Sequence, residues 1–336
     1  KVHKSAKLTI DFQRTLRIPD DGNDYPLPPG LGRFPLRHVE DFDGKVPQPW
    51  IKQGGILFPM YQSEAMWICF DSEYDDERGV SYPFAVKIAT GKVCAVSGET
   101  WQKGMHQSPQ DYVVVPEQPW LDGYCVEKGV IRQFVAMPLG AGYSAEEQVT
   151  GEAEYGGVQI QACPMKRDVF EKRFPKRVRR EHLQPLLSLP LCVAECAAPD
   201  MGLAPGGRMK QDICDDPYDP SDWDSTITSR CFVHITNSMV WQSITGKQPP
   251  TPPTTAEAYT NAGLPWFDWY DDKNQALPGS DTLGGMKSVV KMGIEKGDVP
   301  LPENQSCGPA NVVTLKPKLK PGQVREWEDD PCQPNS

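Results

Sequence analysis

No run in this chain approaches the roughly 18 consecutive apolar residues of a membrane span. The longest apolar stretches, such as Ile56-Leu57-Phe58 and Val113-Val114-Val115, are strand-sized. Positive charge is scarce as well: 35 Lys and Arg stand against 45 Asp and Glu, for a net charge of −10. Such a balance argues against nonspecific nucleic-acid binding and against adhesion to anionic lipid, so neither nucleic acid nor membrane is expected as a partner. Catalytic signatures are missing too. There is no Gly-x-Ser-x-Gly elbow, no Gly-x-x-x-x-Gly-Lys phosphate loop, no Rossmann glycine fingerprint and no His-Glu-x-x-His. The five histidines are scattered. His234, inside an apolar run, reads as a hydrogen-bonded core residue rather than a base. The balance leans away from an enzyme without excluding one.

What the chain has in abundance is proline, 34 residues in 336, with 29 glycines and nine tryptophans. Proline fixes φ and lacks a ladder donor, so this content predicts short elements joined by long ordered loops, where binding groups concentrate. The ten cysteines permit five disulfides without requiring any. Cys192 and Cys196 have neither a second close pair nor paired histidines to complete a zinc site. The first residue is Lys1, as in a processed or trimmed product, and the compartment stays open.

Pattern and punctuation predict a mainly β fold, with α+β as the alternative: an antiparallel β-sandwich or barrel in the first half and a loop-rich, Pro-rich second half with a few short helices. Strands are expected over 7–12, 112–115, 130–137 and 158–163. One hairpin is expected at Gly55–Met60 with Ala65–Phe70, and a clearer one at 84–89 with 92–96 around Gly91. Ser144 and Glu147 have capping-box spacing. The expected divisions are a β-rich domain over 1–165, a basic helix and connector over 166–205, a loop-rich α+β part over 206–300 and an extended tail over 301–336.

Two clusters carry chemical potential. Asp212, Asp215, Asp216, Asp219, Asp222 and Asp224 crowd one proline-punctuated loop with Trp223. Carboxylates on a turning loop suit calcium, with Asp215, Asp216, Asp219 and Asp222 as the candidate ligands; equally, aspartates cap turns. The second cluster is Trp266-Phe267-Asp268-Trp269-Tyr270-Asp271-Asp272. Indole and phenol faces stack on sugars or anchor a core, so Trp223, Trp266, Trp269 and Tyr270 are the candidate ligand-binding residues. The leading expectation is a non-catalytic binding or assembly protein that uses these loops on a protein partner or on another copy of itself. The first alternative is a carbohydrate-active hydrolase with Asp224, Asp268, Asp271 and Asp272 as paired carboxylates. The second is a calcium-dependent binding module; no other cofactor is implied. The basic run Arg177-Val178-Arg179-Arg180 reads as a solvated face, a polyanion patch or a processing site.

Overall fold

The structure, a computed structural model, describes residues 2–176, 200–269, 275–299 and 304–315. In chain order its strands are β1 (Leu8–Thr15), β2 (Asp24–Tyr25), β3 (Gly30–Arg33), β4 (Arg37–His38), β5 (Ile56–Pro59), β6 (Ala65–Ser72), β7 (Tyr74–Asp75), β8 (Val80–Ser81), β9 (Phe84–Thr90) and β10 (Val93–Cys94). They continue as β11 (Val113–Val115), β12 (Trp120–Leu121), β13 (Gly123–Glu127), β14 (Val130–Pro138), β15 (Val158–Pro164), β16 (Asp200–Lys210), β17 (Ser229–Thr236), β18 (Trp266–Trp269) and β19 (Val312–Leu315). The helices are short: α1 (Gln48–Gln53), α2 (Ala145–Thr150), α3 (Arg167–Arg173), α4 (Ser238–Thr245), α5 (Ala256–Asn261), α6 (Asp281–Gly284) and α7 (Val289–Lys296).

The fold is mainly β. A 15-stranded sheet follows the path β10-β9-β15-β17-β16-β14-β6-β1-β3, with the remaining strands branching from it. Most pairs are antiparallel; β2 on β16 and β5 on β17 run parallel. The path is open at β10 and at β3, so the barrel named as one expectation does not close. The other two sheets are two-stranded ribbons. Strands β16 and β17, from the part expected to be loop-rich, lie between β15 and β14 of the first half.

Local sequence explains most elements. β9 is a β-branched and apolar run that turns at Gly91, φ +54°, into β10, with Ala89 opposite Cys94. Ser144 caps α2 through a reciprocal capping box with Glu147. After β17, Asn237 caps α4 by accepting from the N–H groups of Met239 and Val240, so one apolar run holds both a strand and a helix. The expected hairpin over 55–70 is corrected: β5 pairs β17 and β4, while β6 pairs β1, β12 and β14. Residues 200–205, expected as connector, open β16. Its glycines hid it, because glycine weakens a strand unless another backbone comes close. Here one does: a Cβ on Gly207 would lie 2.4 Å from the Pro19 carbonyl oxygen.

The main core lies on the sheet, with Trp67, Ile88, Tyr124, Phe134 and Leu203 buried. A second cluster packs Trp50, Leu57, Trp241 and Ile244 where α1 and α4 meet β5. His234 belongs there. It is buried, stacks on Trp50 at 4.4 Å and has Nε2 3.1 Å from the Gly54 carbonyl, which accepts.

Two outcomes follow for stability. Gly157 has φ +53°, and a Cβ there would lie 2.2 Å from the Val233 carbonyl oxygen. G157A is expected to lose more than about 2 kcal/mol in urea denaturation. At Gly104, φ +94° with no neighbour within reach, alanine adds only backbone strain, about 1 kcal/mol. Burial lowers the His234 pKa to about 4. Unfolded histidine titrates near 6.5, so between those values the unfolded chain holds a proton that the native state does not. Stability therefore falls as pH drops from about 6.5 to about 4, by about 3 kcal/mol in all. Denaturation of H234F over this range is expected to show a shallower pH dependence than the parent.

Candidate functional site

Three neighbouring strands present polar side chains on one face. Gln161 of β15 lies opposite Lys87 of β9 and opposite Arg230 of β17, with Gln159 two residues away on the same strand. The alternation in Val158-Gln159-Ile160-Gln161 puts the glutamines on this face and the aliphatic residues on the other. The loop over 97–111 crosses above. Lys87 is almost fully buried, so its ammonium needs partners in place. It has them: Asp111 Oδ2 at 2.5 Å, the Gln102 carbonyl oxygen at 3.1 Å and the Trp101 ring at 5.5 Å. Asp111 also accepts from the His106 backbone N–H at 2.9 Å and from His106 Nδ1 at 2.7 Å. Because the carboxylate accepts, Nδ1 carries the proton.

Asp216 is a second hub. Its Oδ2 accepts from the Tyr112 hydroxyl at 2.5 Å and from Trp223 Nε1 at 2.9 Å, and its Oδ1 accepts from the Tyr218 N–H at 2.9 Å. Burial, reinforced by the hydrogen bond to this carboxylate, pushes the Tyr112 phenol far above its ordinary range. Trp223 meets Tyr112 edge-on at 6.4 Å and Tyr218 edge-on at 5.6 Å. A cavity of about 200 Å³ opens between this aromatic wall, Gln161, the 103–107 stretch and the turn after Pro220. Its lining includes Lys103, Lys166 and Ser225, and no carboxylate side chain among the described residues. Cys163 also lines it, but burial pushes this thiol up to about 12, and Sγ donates to the Asp224 carbonyl at 3.1 Å. It is no thiolate nucleophile at neutral pH.

Two larger hollows, each about 310 Å³, are weaker candidates. One lies under α7; its polar lining pairs within itself, Tyr143 donating to Asp298 at 2.6 Å. The other is mostly apolar, with Leu8, Ile10, Phe84 and Ile160, and Arg230 also lines it. Of these three hollows, the smaller brings together aromatic rings, an amide and ammonium groups that form no ion pair with a described residue.

Of the residues expected from sequence, Trp223 lines this cavity and Asp216 holds its ring. Asp222 is buried and pairs with Arg173 at 2.5 Å. Asp219 caps the turn over Pro220–Asp222, and hydrogen bonds from the Ser221 hydroxyl and then its N–H hold its carboxyl below the usual range. Exposed Asp215 accepts from the Asp216 N–H at 2.9 Å, and Asp224 accepts from the Thr226 hydroxyl at 2.6 Å. Each of these carboxylates thus has a bond near its own turn. Among the described residues no group of three or more His, Cys, Asp and Glu side chains converges on a metal position. Trp266 is fully buried between Tyr25 and Tyr259, and half-buried Trp269 stands edge-on to Trp120 at 4.9 Å. Asp268 sits in the β18–β19 ribbon. Tyr270, Asp271, Asp272 and Arg177–Arg180 lie outside the described residues. Sequence reasoning missed Lys87, Asp111, Tyr112 and Gln161. The signals were a lone lysine inside Phe84–Thr90 and two glutamines alternating within β15.

The seven cysteines among the described residues are free thiols. No helix among those residues is long and apolar enough to cross a membrane. Compared with known proteins, the chain matches no family model, no curated protein and no solved structure.

Removing the Tyr112 hydroxyl leaves Asp216 Oδ2 with one donor fewer in a buried position. Y112F is expected to lower unfolding stability by about 1–3 kcal/mol. Chemical denaturation checks it; an unchanged midpoint would show that Asp216 does not depend on this bond.

Proposed function

We propose that the chain is a non-catalytic binding protein whose ligand is a small polar molecule held in the cavity beside Trp223. The observation that carries this reading is the wall itself: two aromatic rings fixed by one buried carboxylate, facing an amide and two lysines. Rings whose polar atoms are already bonded inward present edges and faces to whatever enters, and Gln161 offers a donor and an acceptor. The rim supplies hydroxyls at Ser221, Ser225 and Thr228.

The lining favours binding over glycoside hydrolysis, which needs two carboxylates flanking the scissile bond. A cavity of this size also suits a small molecule better than a partner's side-chain array, although the flanking loops leave room for assembly contacts at the rim.

Ser225 is exposed and lines the cavity, so S225W fills the opening while leaving the core intact. Dialysis against a small-molecule extract followed by mass spectrometry is expected to show a polar compound retained by the parent and lost in S225W, with equal melting temperatures. Equal retention by both proteins, or none by either, would count decisively against a ligand in this cavity.

A further inference from the structure

Building on the cavity reading, we infer that the ligand is a phosphate monoester dianion, recognised by Lys103, Lys166 and Arg230. The chain as a whole is acidic, at −10, yet two ammonium groups line this cavity and a guanidinium stands on the neighbouring strand, in the lining of the apolar hollow beside β1, none of them in an ion pair with a described residue. Lys103 and Lys166 line the cavity; among the described residues the Lys166 ammonium donates to the Ser221 carbonyl alone, at 2.7 Å. Arg230 flanks it, one strand spacing from Gln161 and two residues beyond Thr228, both of which are in the lining.

The fold prepares Arg230 for this role. Among the described residues, Ser229 and Arg230 of β17 pair with β15 alone, since Gly55 lies against Phe232, β5 joins from Val233 and β16 from Ile235. That free edge leaves the Arg230 side chain exposed. Its guanidinium lies 4.8 Å from the centre of the Trp101 ring and 4.6 Å from that of Phe232, and one nitrogen donates to Gln159 Oε1. Rings and amide fix its plane, so its remaining N–H groups keep a set geometry for a planar or tetrahedral oxyanion. Of the nearby acids, Asp111 is neutralised by Lys87, while Asp216, bonded to Tyr112 and Trp223, and Asp224, bonded to Thr226, stay out of the lining. Two ammonium groups in a lining without an acid, with Arg230 on the adjoining strand, match a double negative charge better than a single one. The aromatic wall accommodates the organic part of the ester.

Titration calorimetry on the whole chain tests this with phenyl phosphate, benzoate and benzyl alcohol. Phenyl phosphate is expected to bind more tightly than benzoate, benzyl alcohol to bind least, and added salt to weaken the phosphate. R230A and K103A/K166A change exposed or rim side chains, and each is expected to reduce phenyl phosphate affinity about tenfold. R230K, which keeps the charge without the planar fork, should recover only part of the loss. No phenyl phosphate binding, benzoate binding as tightly, or affinity unchanged by R230A and K103A/K166A overturns the assignment. If all three probes bind equally and S225W abolishes them, the cavity reading stands and the dianion falls. If S225W leaves all binding intact, both fall.

Discussion

A lysine ammonium in the middle of a sheet has to be neutralised where it stands, and Asp111 does this for Lys87 at 2.5 Å. Lys87 belongs to β9, which is flanked by β15 and β11, so its position is set by backbone pairing on both sides. Asp111 comes from the loop, and the ion pair therefore fixes the loop to the sheet. Breaking one partner of such a pair leaves an uncompensated buried charge, worth roughly 3–5 kcal/mol. The stretch that lines the cavity with Met105 and Gln107 is held between this pair and Trp101, and Tyr112 follows Asp111 directly.

Asp216 repeats the logic from the opposite side. Its carboxylate is sheltered, and the donors that satisfy it are the polar atoms of the rings that form the wall. The two hubs hold Asp111 and Asp216 outside the lining, and the ammonium groups at the opening form no ion pair with a described residue. Structure and electrostatics thus arise from one arrangement: acids turned inward for stability, cations left outward for recognition.

Much of the fold was legible because the β signal is local. The run through β9, its turn at Gly91, the alternation of β15 and the cap at Ser144 all depend on residues a few positions apart. The errors were nonlocal. Two apolar runs joined by a four-residue turn read as a hairpin, yet β5 joins β17 and β6 joins β1, pairings that no turn chemistry announces. β16 was hidden by the glycines that admit the backbone at Pro19. The site was legible in one residue, Trp223, found through its acidic surroundings. Its other parts come from β9, β15 and the loop before β11, and only the sheet register makes them neighbours. Crowded aspartates drew attention to charge, whereas the structure gives most of them turn and pairing duties.

The account rests on the claim that this cavity, and no other part of the surface, receives the ligand. Amide hydrogen exchange with and without phenyl phosphate tests it most directly, because each segment reports separately. Added protection confined to residues 103–112, 161–166 and 220–230 is the predicted result. Protection centred on α7 or on the apolar groove beside β1, or no protection anywhere, would contradict it.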